Sequence, residues 1–238
     1  MTHPLIIALD FPEAKIALDF VKQFPQPEEL FVKVGMELYY HAGPLIIREL
    51  KMLGCQIFLD LKLHDIPHTV EQAATVIGQL GVELTTIHAA GGQQMMQAAV
   101  AGINAGAAKA NVAPAKLLAI TQLTSTSEQM LHHELAVDAT LTDSVDQLAQ
   151  LAAASGVNGV ISSALEVPHI KTTASTDFLC ISPGIRLHSQ STDDQVRIVT
   201  PAVAQQLGSD GIVVGRPITK AANPVATYQH IKMLWEGQ

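Results

Sequence analysis

At 238 residues, 48% apolar and 15% charged, the chain can fill a large core, which excludes a disulfide-stapled miniprotein and a disordered chain. Twenty-two acidic against fourteen basic side chains leave a formal charge of −8, a poor field for gripping a polyanionic backbone, so no nucleic-acid partner is expected. One small phosphate-bearing ligand stays admissible, because it needs only a local cluster of donors.

The first apolar run, Leu5 to Asp10 (LIIALD), closes on a carboxylate and precedes a helical pattern over about 13–23. The MTHP before it lacks the basic start and cleavable apolar core of an export signal. No apolar stretch nears the roughly 18 residues of a membrane span, so a cytoplasmic protein with no membrane partner is expected. The second run, Leu30 to Gly35 (LFVKVG), carries Lys33 between two valines and leads to a helix over about 43–53. The third, Cys55 to Lys62 (CQIFLDLK), sets Asp60 and Lys62 two apart and so on one face, ahead of a helix over about 67–80. The fourth, Leu84 to His88 (LTTIH), precedes a helix over about 91–107.

The fifth run, Lys116 to Leu123 (KLLAITQL), opens into Thr124 to Thr140, which breaks the rhythm and reads as a long loop with a short helix near Ser127 to His132. Its adjacent His132 and His133 lack a spaced cysteine or carboxylate partner and read as surface residues rather than metal ligands. A helix over about 141–154 follows. The last runs are Gly159 to Ser162 (GVIS), Phe178 to Gly184 (FLCISPG) and Gly211 to Gly215 (GIVVG), with helices over about 164–172, 201–208 and 221–235. The polar stretch His188 to Val199 reads as a mobile lid. Gly54 and Gly81 suit helix C-caps, and Pro67 and Pro217 suit first helical turns. Cys55 and Cys180 sit inside apolar runs and read as two buried thiols in a reducing compartment.

Consecutive runs lie mostly about 20–35 residues apart, the spacing of right-handed strand–helix–strand units, and show little polar alternation, as expected of a parallel sheet covered on both faces. Eight units in this length predict an α/β fold, a single-domain (β/α)8 TIM barrel spanning residues 1–238. An open nucleotide-binding sheet would carry a Gly-rich turn after the first strand, whereas LIIALD is followed by FPEAK.

Ionisable residues fall where barrel strands end: Asp10, Lys33, Asp60, Lys62 and His88 are expected to converge at the mouth, where charges this deep need partners. Blander roles stand beside each: a helix cap for Asp10, a snorkelling stem for Lys33, a structural ion pair for Asp60 and Lys62, a packed imidazole for His88. At units seven and eight, SPGIR (Ser182 to Arg186) and VVGRPI (Val213 to Ile218) combine glycines, a following helix and an arginine, a pattern suited to phosphate. Arg216 is the stronger candidate there, and Arg186 reads equally well as a solvated loop charge.

The segment DLKLHDIPHT, Asp60 to Thr69, resembles the signature of the orotidine 5′-phosphate decarboxylase family, compact bacterial type: Asp, x, Lys, x, x, Asp, then Ile-Pro and a Thr. LDF after the first strand, FVKVGMEL, TIHAAGG, LLAITQLTS, SPGIR and VVGRPI resemble it in order across nearly the whole chain. His68 departs from it, standing where many members carry Asn or another small polar residue. The resemblance implies a homodimeric TIM barrel that takes orotidine 5′-phosphate to UMP and needs no cofactor or metal. It implies Lys62 as proton donor to the pyrimidine C6, held between Asp60 and the partner's Asp65, with Asp65 and Thr69 reaching into the neighbouring site. It further implies Asp10 and Lys33 on the ribose side, Thr124 beside the pyrimidine amide and Pro183 as a wall of the base pocket. Gln195, Arg216 and the Gly215 amide are implied at the phosphate, with Arg186 nearby.

Losing CO2 leaves an electron pair on a ring carbon with little delocalisation, and a fixed ammonium can first stabilise and then protonate it. A sugar-phosphate barrel resembling 3-hexulose-6-phosphate synthase shares much of the charged array but would require a divalent metal. A silent ligand-binding barrel and a Schiff-base aldolase are further alternatives.

Overall fold

The computed structural model describes residues 3–187 and 198–237. Eight parallel strands close into a barrel in chain order: β1 (Leu5–Ala8), β2 (Phe31–Gly35), β3 (Gln56–Leu63), β4 (Leu84–His88), β5 (Lys116–Ile120), β6 (Gly159–Ile161), β7 (Leu179–Ser182) and β8 (Gly211–Val214). β8 pairs back onto β1, as the expected TIM barrel requires. Each apolar run supplies one strand. Ile6 and Ala8 pack inside the barrel with Phe31, Phe58, Leu84, Leu118, Ile181 and Val213, while the alternate Leu5, Ile7 and Leu9 join the larger core beneath the helices. Both faces are therefore buried, which explains the missing polar alternation.

The helices are α1 (Ala14–Val21), α2 (Met36–Ala42), α3 (Leu45–Met52), α4 (Pro67–Gly78), α5 (Gly92–Ala110), α6 (Glu128–His133), α7 (Leu141–Ala154), α8 (Val167–Thr173), α9 (Pro201–Gln206), α10 (Arg216–Thr219) and α11 (Pro224–Glu236). α6 is the short helix expected in the loop after β5, and its His132 ring bonds the Ala139 carbonyl at 2.8 Å. Pro67 opens α4 and Pro217 is the second residue of α10, both in first turns. The sequence pattern missed α2, and its helical pattern resumed past α10. Each begins directly after a strand, at the single N-cap glycines Gly35 and Gly215, so no turn signal separates the two elements. Cys55 and Cys180 are free, buried thiols, which burial pushes up to about 11 and about 12. Among the described residues no helix is long and apolar enough to cross a membrane.

Two features of the sheet matter for what it carries. At the N-terminal end, the residues just before β4, β6 and β8 each bind the preceding strand twice. Glu83, Asn158 and Asp210 donate their own N–H to the carbonyls of Ile57, Leu117 and Cys180, and their side-chain oxygens accept the N–H of those same residues. Asp210 also pairs with Lys171 at 2.7 Å. These contacts fix the closed end of β3, β5 and β7. At the C-terminal end β3 slips against β4: Leu59 faces Thr85, but Leu63 faces Ile87, so four steps on one strand match two on the other. The bulge holds Asp60 and Lys62.

Candidate active site

The strand ends and following loops enclose a cavity of about 330 Å³, within the rough 300–1,000 Å³ range of small-molecule sites. Its floor is the top layer of the barrel interior, with Ala8, Phe58, Ile120, Ile161 and Val213. Its rim brings together Asp10 after β1, Lys33 on β2, Asp60 and Lys62 on β3, Thr124 after β5, Pro183 and Arg186 after β7, and Gly215 and Arg216 after β8. Nine of the sequence candidates thus share one cavity.

The charges form a chain. The Lys33 ammonium lies 3.1 Å from Asp10 Oδ1 and 3.7 Å from Asp60 Oδ2, and the Lys62 ammonium 2.8 Å from the same Asp60 oxygen. Asp60 is buried, and its Oδ1 accepts a hydrogen bond from the Thr86 hydroxyl at 2.9 Å. The Lys62 main chain is left-handed, with φ of 53°, a conformation that costs an L-residue roughly 1–2 kcal/mol and persists only where its surroundings over-determine it. Glycines keep the rim open beside this chain: a Cβ on Gly35 would lie 3.2 Å from Lys33 Nζ, and one on Gly215 3.5 Å from Asp10 Oδ2.

Asp65, Thr69 and His88 do not line this cavity. Asp65 and Thr69 are exposed at the start of α4 and do not line the cavity of their own chain; Asp65 instead accepts the Ile66 N–H at 2.6 Å. Gln195 lies outside the described residues, as do positions 188–197 of the lid expected over His188 to Val199. His88 ends β4 as expected but is not among the lining residues, which corrects its expected place in the converging set. Its ring packs 5.2 Å from that of His64, and burial, then the charges of His64 and Lys62, hold its pKa below the ordinary value despite Asp60. The packed-imidazole alternative describes it.

Sequence reasoning missed Gln122, Ser125 and Ser162 on the cavity wall and Thr86 behind it. The polar tail of KLLAITQLTS offered a signal for the first two. Thr86 offered none, because a threonine in a buried strand is ordinary β-sheet composition.

The sequence profile described as "Orotidine 5'-phosphate decarboxylase / HUMPS family" matches residues 3–231. The orotidine 5′-phosphate decarboxylase of Latilactobacillus sakei is 58% identical over 237 residues, covering 100% of this chain and 99% of that protein. That of Lactiplantibacillus plantarum is 54% identical over 237 residues, covering all of both. The crystal structure of orotidine 5′-phosphate decarboxylase from Lactobacillus acidophilus superposes with a TM-score of 0.88 at 42% identity, over 98% of this chain and 99% of that one.

Proposed function

The chain belongs to the orotidine 5′-phosphate decarboxylase / HUMPS family, and from that premise we propose that it decarboxylates orotidine 5′-phosphate to UMP in pyrimidine biosynthesis. The observation that carries this reading is the Lys62 ammonium held 2.8 Å from Asp60 inside a cavity whose rim also offers Gly215 and Arg216.

In this reading the bond from C6 to the carboxylate breaks, CO2 departs and the electron pair stays on C6. The Lys62 ammonium stabilises that pair and then donates a proton to it, leaving a neutral amine that regains its proton from solvent. Asp60 holds the ammonium in place and faces the departing carboxylate. Asp10 and Lys33 hold the ribose, Thr124 the pyrimidine amide and Pro183 the face of the base. Gly215, Arg216 and Gln195 bind the phosphate, with Arg186 beside it; that remote binding energy orients the reacting carbon. Asp65 and Thr69, exposed in their own chain, serve the site of a second copy, which makes the working unit a homodimer.

The test is an absorbance assay with orotidine 5′-phosphate after exhaustive chelation. Metal-independent loss of the orotate band is expected. Strict dependence on an added divalent cation, or no turnover, would overturn the reading in favour of the sugar-phosphate alternative.

A further inference from the structure

We propose that Thr86 is a positioning residue for this reaction, its one hydroxyl holding both the Asp60 carboxylate and the Lys62 main chain; the proposal rests on the reading of that pair as reacting groups. Thr86 lies in β4 with no exposed surface. Its Oγ1 donates to Asp60 Oδ1 at 2.9 Å and accepts the Lys62 N–H at 2.9 Å. An ionised carboxylate only accepts and a main-chain N–H only donates, so the group between them must do both at once, as a hydroxyl can.

The position is set by the bulge. Thr86 lies between Thr85 and Ile87, the two β4 residues that flank the slipped register, and so faces the extra length of β3. Its side chain gives the Lys62 amide the partner that the interrupted ladder does not, at the residue whose φ of 53° needs anchoring. The second bond divides the work of Asp60: Oδ1 is tied to the wall through Thr86, and Oδ2 is left for Lys62 at 2.8 Å and Lys33 at 3.7 Å. Remove the hydroxyl and the carboxylate is free to turn about its last bond, carrying the ammonium with it, while the Lys62 backbone loses its anchor. Substrate binding, made largely by other residues, is not the property at risk.

The test compares Thr86→Val, which keeps the shape and removes the hydroxyl, with Thr86→Ser, which keeps the hydroxyl. For Thr86→Val, kcat is expected to fall about 10- to 100-fold while KM and UMP inhibition stay within about threefold; Thr86→Ser is expected within about threefold of the parent in all three. If the valine variant does not fold, Thr86→Cys, whose sulfur bridges such a pair weakly, is expected to show the same selective loss of kcat. A folded valine or cysteine variant with kcat within threefold of the parent overturns the proposal, as does equal loss in the serine variant or a loss confined to KM. A parent chain without decarboxylation overturns the functional reading and this proposal together, whereas an active parent with an indifferent Thr86 overturns this proposal alone.

Discussion

A side chain that contributes uniform binding and one that stabilises developing charge leave different kinetic traces. Lys62 combines electrostatic stabilisation with proton donation, so Lys62→Ala is expected to lower kcat about 10⁴-fold or more. Arg216 is assigned to a group remote from the reacting carbon, and Arg216→Ala is expected to raise KM roughly 10- to 100-fold with a far smaller change in kcat. Steady-state kinetics of the two variants check the pair, and similar modest losses in both would remove these assignments. His88 makes a prediction about stability. Burial, then His64 and Lys62, lower its folded pKa from 6.5, with Asp60 opposing. As the pH falls below that value, the unfolded chain takes up a proton that the folded chain resists, so the contribution is present in full above about pH 6.5 and lost as the pH falls through the lower folded value. Urea unfolding between about pH 7.5 and pH 5.5 should therefore show a loss on acidification that His88→Asn reduces.

At the scale of elements, the two ends of the barrel do separate work, the pattern familiar from other barrels of this kind. The reciprocal bonds of Glu83, Asn158 and Asp210 lie at the end away from the cavity. Asp210 is the most engaged, since the same oxygen accepts from Cys180 N at 2.7 Å and pairs with Lys171 at 2.7 Å. Asp210→Ala is expected to cost about 2–3 kcal/mol in urea unfolding with kcat and KM unchanged, while Asp210→Asn retains an acceptor and loses less. A fall in kcat without a stability change would show that the two ends are coupled. The helices α4 and α5 are also committed to each other. Cβ atoms at Gly102 and Gly106 would run into the carbonyl oxygens of Glu71 and Thr75, so only glycine lets the backbones approach this closely.

At the scale of the whole molecule, the proposed dimer gives exposed groups a purpose. Asp65 and Thr69 stand outside their own cavity, and the elements after β2 and β3 expose Met36, Tyr40 and Ile66, the last two by 72% and 66%. Chains bearing Lys62→Ala and chains bearing Asp65→Ala should each be nearly inactive alone. Mixed and re-equilibrated in equal amounts, they should recover about a quarter of the parent activity, because half the dimers are mixed and each of those has one intact site of two. Verified mixed dimers without recovery would place Asp65 in the site of its own chain or in none.

The sequence by itself determined the order and two-faced burial of the eight strands and the identity of the charged residues at their ends, because these are properties of local composition and spacing. It also carried enough of DLKLHDIPHT to mark the family. Tertiary structure alone decided the slip of β3 against β4 and the left-handed turn at Lys62. It alone chose Thr86 from among the buried strand threonines, through bonds spanning 24 and 26 residues. A hydrogen bond across neighbouring strands depends on register, and register is fixed only once the barrel has closed.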